Sequence, residues 1–379
     1  MLNNSAAIIG CQRKTRAARN RTFSACVQLL TAVLAIGMAP LITGSVAFAG
    51  PNPFIPAQGS TSPANGDLNP YGLAVVPNGF PGGVLRPGQL LVSNFNNSLA
   101  DGNVQGQGST IVTIDPSTGN QLGVFYPGSS PIGFTNALSI VNKGFVFAGS
   151  VFTTSENPSA QNGGLLVIDS SGHLVTTIMD GTNGPWGLAV NQQSGPQLFI
   201  SNVLDGTVTR IGVSFNGGFR TVGSPVTIAS GYSFHTDSLG LVVGPAGLAY
   251  NSKADILYVA SEDDNAIYAI PGASTLTSSA GKGTLIYDDQ THLHGPLGLI
   301  IGPNGNLITA NADPMAHIDP TQPSEIVEFT TGGTFVRQFS IDPNTGSAFA
   351  ILNAPLAGTY EFSYVDDFSS IINILRLAR

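Results

Sequence analysis

Four times in this chain a Pro-x-Gly-Leu tetrapeptide opens a short apolar run: Pro70-Tyr71-Gly72-Leu73, Pro185-Trp186-Gly187-Leu188, Pro245-Ala246-Gly247-Leu248 and Pro296-Leu297-Gly298-Leu299. Two degenerate copies, Asn136-Ala137-Leu138-Ser139-Ile140 and Ser347-Ala348-Phe349-Ala350-Ile351, stand in the gaps. A unit recurring at roughly 50 to 60 residues is longer than a solenoid repeat and suits a four-stranded propeller blade with its loops. The repeats predict an all-β chain: a six-bladed β-propeller of four-stranded antiparallel blades.

Turn signals divide each unit into strands. In the third, 187–190, 197–202, 207–213 and 220–229 read as strands A to D, with Gly, Asn and Asp at the turns. The fourth repeats this at 247–250, 256–261, 266–270 and 283–287. The sixth unit runs out after three strands, 348–352, 361–365 and 371–377. Its outer strand is expected from 53–57, so that the N-terminus left after leader removal closes the ring. Pro53 and Pro56 are tolerable there because an outer strand has one unpaired side.

Composition agrees. Only 9% of the residues are charged, Gly accounts for 47 of 379, and Val, Ile, Thr and Ser crowd the apolar runs, as many short strands joined by tight turns require. Residues 1–49 read as a secretory signal. Arg13, Lys14, Arg16, Arg19 and Arg21 precede an apolar stretch at 27–38, and Ala47-Phe48-Ala49 has cleavage-site spacing. An uncleaved anchor is the alternative, since 27–41 approaches the roughly 20 residues a spanning helix needs. The expected organisation is thus a signal peptide at 1–49 and one propeller domain at 50–379, secreted or periplasmic, from a bacterium.

The leader holds five of the 14 basic residues and none of the 22 acidic ones, which leaves a net charge of −13 beyond it. Such a surface repels phosphate backbones and anionic lipids, so neither nucleic acid nor, after cleavage, a membrane is an expected partner. Cys11 and Cys26 both lie in the leader. The remaining domain therefore depends on core burial and sheet closure rather than on disulfides.

The run from Gly247-Leu248-Ala249-Tyr250 through Leu257-Tyr258-Val259-Ala260-Ser261 to Asn265-Ala266-Ile267 resembles the NHL-repeat β-propellers, and the likeness extends over about residues 68–377. It implies fold rather than activity, because such propellers include lyases, lactonases and pure binding modules. It also implies that the D-to-A and B-to-C connections share one face around the channel mouth, with the residue between Pro and Gly at that mouth. The six occupants are then Tyr71, Asn136, Trp186, Ala246, Leu297 and Ser347. Gluconolactonase-like propellers, which the chain resembles in fold, place Asn and Asp at several inner positions to hold a divalent cation. Here those positions offer one amide and one hydroxyl, too few oxygens for a hard cation.

A largely apolar mouth remains, with Tyr71, Asn136, Trp186 and Leu297 as candidate ligand-binding residues for a small molecule, a peptide or a protein. Alternatively, Tyr71 and Trp186 plug the channel. A second candidate set is His235, His292, His294 and His317, all in connections of the same face, where imidazoles could bind zinc or act as acid and base. Streptogramin lyase and the peptide-amidating lyase, which share the fold, use histidines at that face. The residues ending strand B, Asn94, Asn202, Ser261, Asn311 and Asp366, read as turn-bonding side chains. Long B-to-C connections at 94–110, 149–164 and 311–324 suggest recognition loops. The expected function is a binding or scaffold module needing no cofactor. The alternative is a lyase or hydrolase dependent on a divalent metal, zinc or calcium.

Overall fold

The computed structural model describes residues 54–129, 131–193, 195–238, 240–312, 325–340, 348–356 and 359–377. The expected leader and His317 lie outside them. Six four-stranded antiparallel sheets follow one another along the chain, each pairing its strands in sequence order except the last. The third blade consists of Pro185–Asn191, Gln197–Asn202, Thr207–Ser214 and Arg220–Ser230, and the fourth of Pro245–Asn251, Ile256–Ser261, Ala266–Pro271 and Thr284–Tyr287. These lie within two residues of the strand ends that turn signals predict. No α-helix occurs among the described residues, and one 3-10 turn, Leu99–Asp101, interrupts the first B-to-C connection. The chain is a six-bladed β-propeller.

Ring closure is explicit in the last sheet. Its order is Phe54–Ser60, Ile371–Leu377, Thr359–Asp366, Ala348–Leu356. Phe54 pairs with Leu377 and Ser60 with Ile371 in an unbroken antiparallel register. The pairing expected for 53–57 thus continues to Ser60, while Pro53 lies outside the described residues.

The Pro-x-Gly-Leu repeat has a packing cause. A Cβ added at Gly187 would stand 1.9 Å from the carbonyl oxygen of Ala246, one at Gly247 would stand 2.2 Å from that of Leu297, and one at Gly298 would stand 2.3 Å from that of Phe349. Each inner strand approaches the next blade so closely that only a residue without Cβ fits. Side-chain hydroxyls lock the contact: Ser201 donates to the Ala246 carbonyl at 2.6 Å and accepts from the Gly187 amide at 2.8 Å. The apolar cores lie between neighbouring blades. Leu91 and Ile111 of blade one meet Ile140 and Leu166 of blade two, and Phe199 and Val208 of blade three meet Leu248 and Val259 of blade four.

Candidate functional site on the B-to-C and D-to-A loop face

In an up-and-down blade the B-to-C turn and the D-to-A connection emerge from the same end of the strands, so these segments build one face. At its centre stand the inner-strand residues that follow each Pro. Tyr71, Trp186 and Leu297 are 2%, 1% and 2% exposed and share one buried cluster with Phe95, Ala246 and Phe349. The Tyr71 ring lies 4.4 Å from that of Phe349 and 4.6 Å from that of Phe95, and Trp186 meets Tyr71 edge-on at 5.7 Å. The indole N–H has no hydrogen-bond partner among the described residues. Five large side chains converge here and pack against one another, buried from solvent, which is the packing that the plugging alternative describes.

Two occupants differ from the expected register. In the sixth blade Ala348 pairs with Asp366 and Ile351 with Tyr364, as Pro245 pairs with Ser261 and Leu248 with Val259 in the fourth. Phe349 therefore takes the inner position expected for Ser347, which lies outside the described residues. In the second blade the bulge between Phe134 and Leu138 is one residue longer. Asn136 sits in that bulge, partly buried, while Thr135 and Ala137 beside it are buried.

The histidines have separate local partners. His235 opens a small hairpin, His235–Asp237 against Leu241–Val243, in the connection before blade four. It is half exposed, with Nδ1 3.0 Å from Asp263 Oδ1 and Nε2 3.9 Å from Asp237 Oδ2. His292 contacts Asp289 and lies flat on Phe335, centroids 3.8 Å apart, which turns it toward the outer strand of blade five rather than the channel. His294 is buried, its amide donating to Asn311 Oδ1 and its Nε2 3.2 Å from the Thr291 carbonyl. No group of three or more His, Cys, Asp or Glu side chains among the described residues is arranged to hold a metal ion.

Asp289 is nevertheless a strongly perturbed group. Burial alone would raise its carboxyl, but hydrogen bonds from His292, the Thr291 amide and the Tyr287 hydroxyl outweigh burial and hold it at about 2. A depressed carboxylate stabilises the fold above its unfolded value of about 4 and loses that contribution as pH falls through its folded value. Wild-type protein should therefore lose thermal stability between about pH 4 and about pH 2 more steeply than Asp289→Asn. Parallel melting curves for the two proteins across that range would remove this assignment.

The polar residues that end strand B tie the loops together, as their turn-bonding reading requires. Asn202 accepts from the Asn183 amide and donates to Thr207 and Thr209, and Asn311 accepts from His294 and donates to the His292 carbonyl. A second set acts across blades. Asn162 bonds the Thr182 carbonyl and the Gly184 amide, and Asn265 bonds the Leu293 carbonyl and the Gly295 amide. Each of these amides clamps the residues just before the next blade's Pro.

Blade one carries features that pattern reading missed. The 97–109 loop and the 61–67 connection enclose a cleft of about 460 Å³ lined by Asn65, Asp67, Asn97, Asp101, Gln107 and Ser109. A neighbouring depression of about 390 Å³ shares Asn65 and is walled by Ala64, Leu68, Leu99 and Ala100. Leu99 is 75% exposed, and Phe368, in the B-to-C turn of the adjoining sixth blade, is 74% exposed. Only the length of the 94–110 loop hinted at this site. The partners Asp67 and Ser109 are too far apart in sequence to be matched by pattern.

No known family model matches the chain, and no curated protein matches it in sequence. Solved structures do match in fold. A gluconolactonase from Xanthomonas campestris superposes with a TM-score of 0.52 at 12% identity, over 86% of this chain and 97% of that one. Regucalcin from Agrobacterium tumefaciens, a calcium-binding protein, gives 0.51 at 11%, over 85% and 95%. At these identities the likeness establishes the six-bladed propeller and not a family, so the NHL resemblance stands at the level of fold. No helix among the described residues is long and apolar enough to cross a membrane.

Proposed function

We propose that this chain is an exported propeller that works as a binding module, recognising a peptide or protein segment on its B-to-C and D-to-A loop face. The observation that carries this reading is the position of open, adhesive surface. The axis is filled by Tyr71, Trp186, Leu297 and Phe349, whereas the preformed clefts and the exposed Leu99 and Phe368 lie off-axis on the loops of blades one and six. Apolar side chains this exposed around shallow clefts are typical of interaction sites. Recognition therefore rests on the loops, with Asn136 the one inner position that keeps a partly accessible polar side chain.

A divalent cation at the axis does not suit these residues. A hard cation takes six to eight oxygen ligands, and the inner positions here present aromatic rings, Leu297 and Ala246, with a single amide. The histidine site remains a second reading, favoured by the Tyr287, Asp289 and His292 chain, in which one carboxylate accepts from both a phenol and an imidazole.

Selection of a random peptide display library against the purified chain tests the first reading. Peptides are expected that bind the wild type and lose at least about tenfold in affinity on Phe368→Asp or Leu99→Asp, the loss of an interface anchor. An empty selection would sink it. So would one zinc per chain that disappears on His292→Ala, which favours the second.

A further inference from the structure

The connections of the loop face are electrostatically one-sided. Among the described residues they contain twelve of the chain's 22 acidic residues and no Lys or Arg. All nine basic residues beyond position 49 belong to strands, to the A-to-B and C-to-D turns of the opposite end, or to the C-terminal end. One of them, Lys282, reaches the loop face and is already paired with Asp264 at 2.7 Å. Fields of one sign over a whole face steer oppositely charged partners and discriminate against others.

Within that face the blade-one cleft contains an incompletely compensated charge. Asp67 is 4% exposed. Its Oδ2 accepts from the Ser109 amide at 2.7 Å, the Ser109 hydroxyl at 3.2 Å and the Thr110 hydroxyl at 2.8 Å. Its other carboxylate oxygen has no hydrogen-bond partner among the described residues, and no cation pairs with it. Because Asp67 lines the cleft, that oxygen is the acceptor available to an occupant. Asp101 lines the same cleft, likewise without a cationic partner, its Oδ2 accepting from Ser98 at 2.6 Å. The loop that carries Asp101 is held in shape by Asn97, which accepts from the Val104 amide and donates to the Asp101 carbonyl and to Gln107. A carboxylate oxygen that opens on a cleft without a protein donor can complete its hydrogen bonding with a cationic donor, and such charge-assisted bonds are the stronger ones.

We propose that the loop face docks a cationic polypeptide segment, with an arginine or lysine side chain entering the cleft at Asp67 and Asp101 and an adjacent apolar side chain resting on Leu68 and Leu99. This deepens the binding-module reading and depends on it. The cleft volume is that of an organic group rather than a bare ion, and the apolar shelf sharing Asn65 gives a flanking side chain a place to bury.

The test uses the purified chain and a fluorescein-labelled peptide of alternating leucine and arginine, beside the same peptide with neutral citrulline for arginine. The arginine peptide should bind at least about tenfold more tightly than its citrulline counterpart, and its affinity should fall as salt rises from about 0.05 M to about 0.5 M. Asp67→Asn and, independently, the exposed Asp101→Asn should each weaken it by about tenfold, while Asp180→Asn, on the same face of another blade, should change it by less than about twofold. Equal binding of the two peptides overturns the cationic assignment. Equal losses at Asp67, Asp101 and Asp180 overturn the cleft, and stoichiometric calcium that displaces the peptide assigns the cleft to a metal. The two readings separate in the display selection: neutral or acidic peptides captured through Phe368 sink this inference and leave the binding module standing, whereas no captured peptide sinks both.

Discussion

Trp186→Ala should destabilise the protein by about 3 to 5 kcal/mol, the usual cost of emptying a large aromatic site in a packed core. The indole is buried against Tyr71 and Phe95 with ring centroids 5.7 and 5.6 Å away, so little can collapse into the cavity. Trp186→Phe should cost much less, since it keeps most of the contact and removes an indole N–H that is buried without a partner. Trp186 is the only tryptophan, and its emission should be blue-shifted and insensitive to acrylamide. A red-shifted, quenchable emission together with an unchanged melt for Trp186→Ala would reopen the axial mouth as the binding site.

Removal of residues up to and including Ser60 should have the largest effect of all. It strips Ile371–Leu377 of its partner along a seven-residue register. At about 1 kcal/mol net per hydrogen bond, several kcal/mol are lost. At roughly 2 °C per kcal/mol for a domain of this size, the melting temperature should fall by about 10 °C, and the bared strand edge should promote aggregation. Gly59 adds to the cost, because it packs so closely on Gly119 that a Cβ there would stand 1.8 Å from the Gly119 carbonyl oxygen. A truncated chain that melts like the full one and stays monomeric would show that the ring does not need this strand.

What the sequence revealed and what it hid divide along a physical line. The inner glycines were legible because Gly187, Gly247 and Gly298 are each forced by backbone contact with the next blade, which leaves a fixed local motif. The closing strand was legible because Ile371–Leu377 had no outer partner nearby in sequence. The sixth inner position was misread as Ser347 because that blade has Ala348 and Ala350 where four of the others have Pro and Gly, and only strand pairing identifies Phe349. The difference between plug and mouth could not be read either, since it depends on whether Tyr71, Trp186 and Phe349, drawn from three distant blades, touch. His292 stacks on Phe335, 43 residues later in the sequence, a contact that the local His292-Leu293-His294 pattern does not encode. The acidic face was written in the composition of the loops, yet it emerges only when each turn is assigned to an end of its strand.

The closing sheet also dictates an order of events. Gln58 and Asn373 bond side chain to side chain across 315 residues of sequence, so Phe54–Ser60 finds its partner only after the five intervening blades have been synthesised. Five blades can gather from neighbours in sequence, but the sixth waits for both ends and bears the full loop-closure entropy of the domain. The nascent protein is therefore an open arc, with an unpaired inner edge and an unpaired outer edge, until the last strand arrives. Closure joins a series of locally assembled hairpins into one ring, so the ring is expected to open where Phe54–Ser60 meets Ile371–Leu377, the one seam whose strands are not neighbours in sequence.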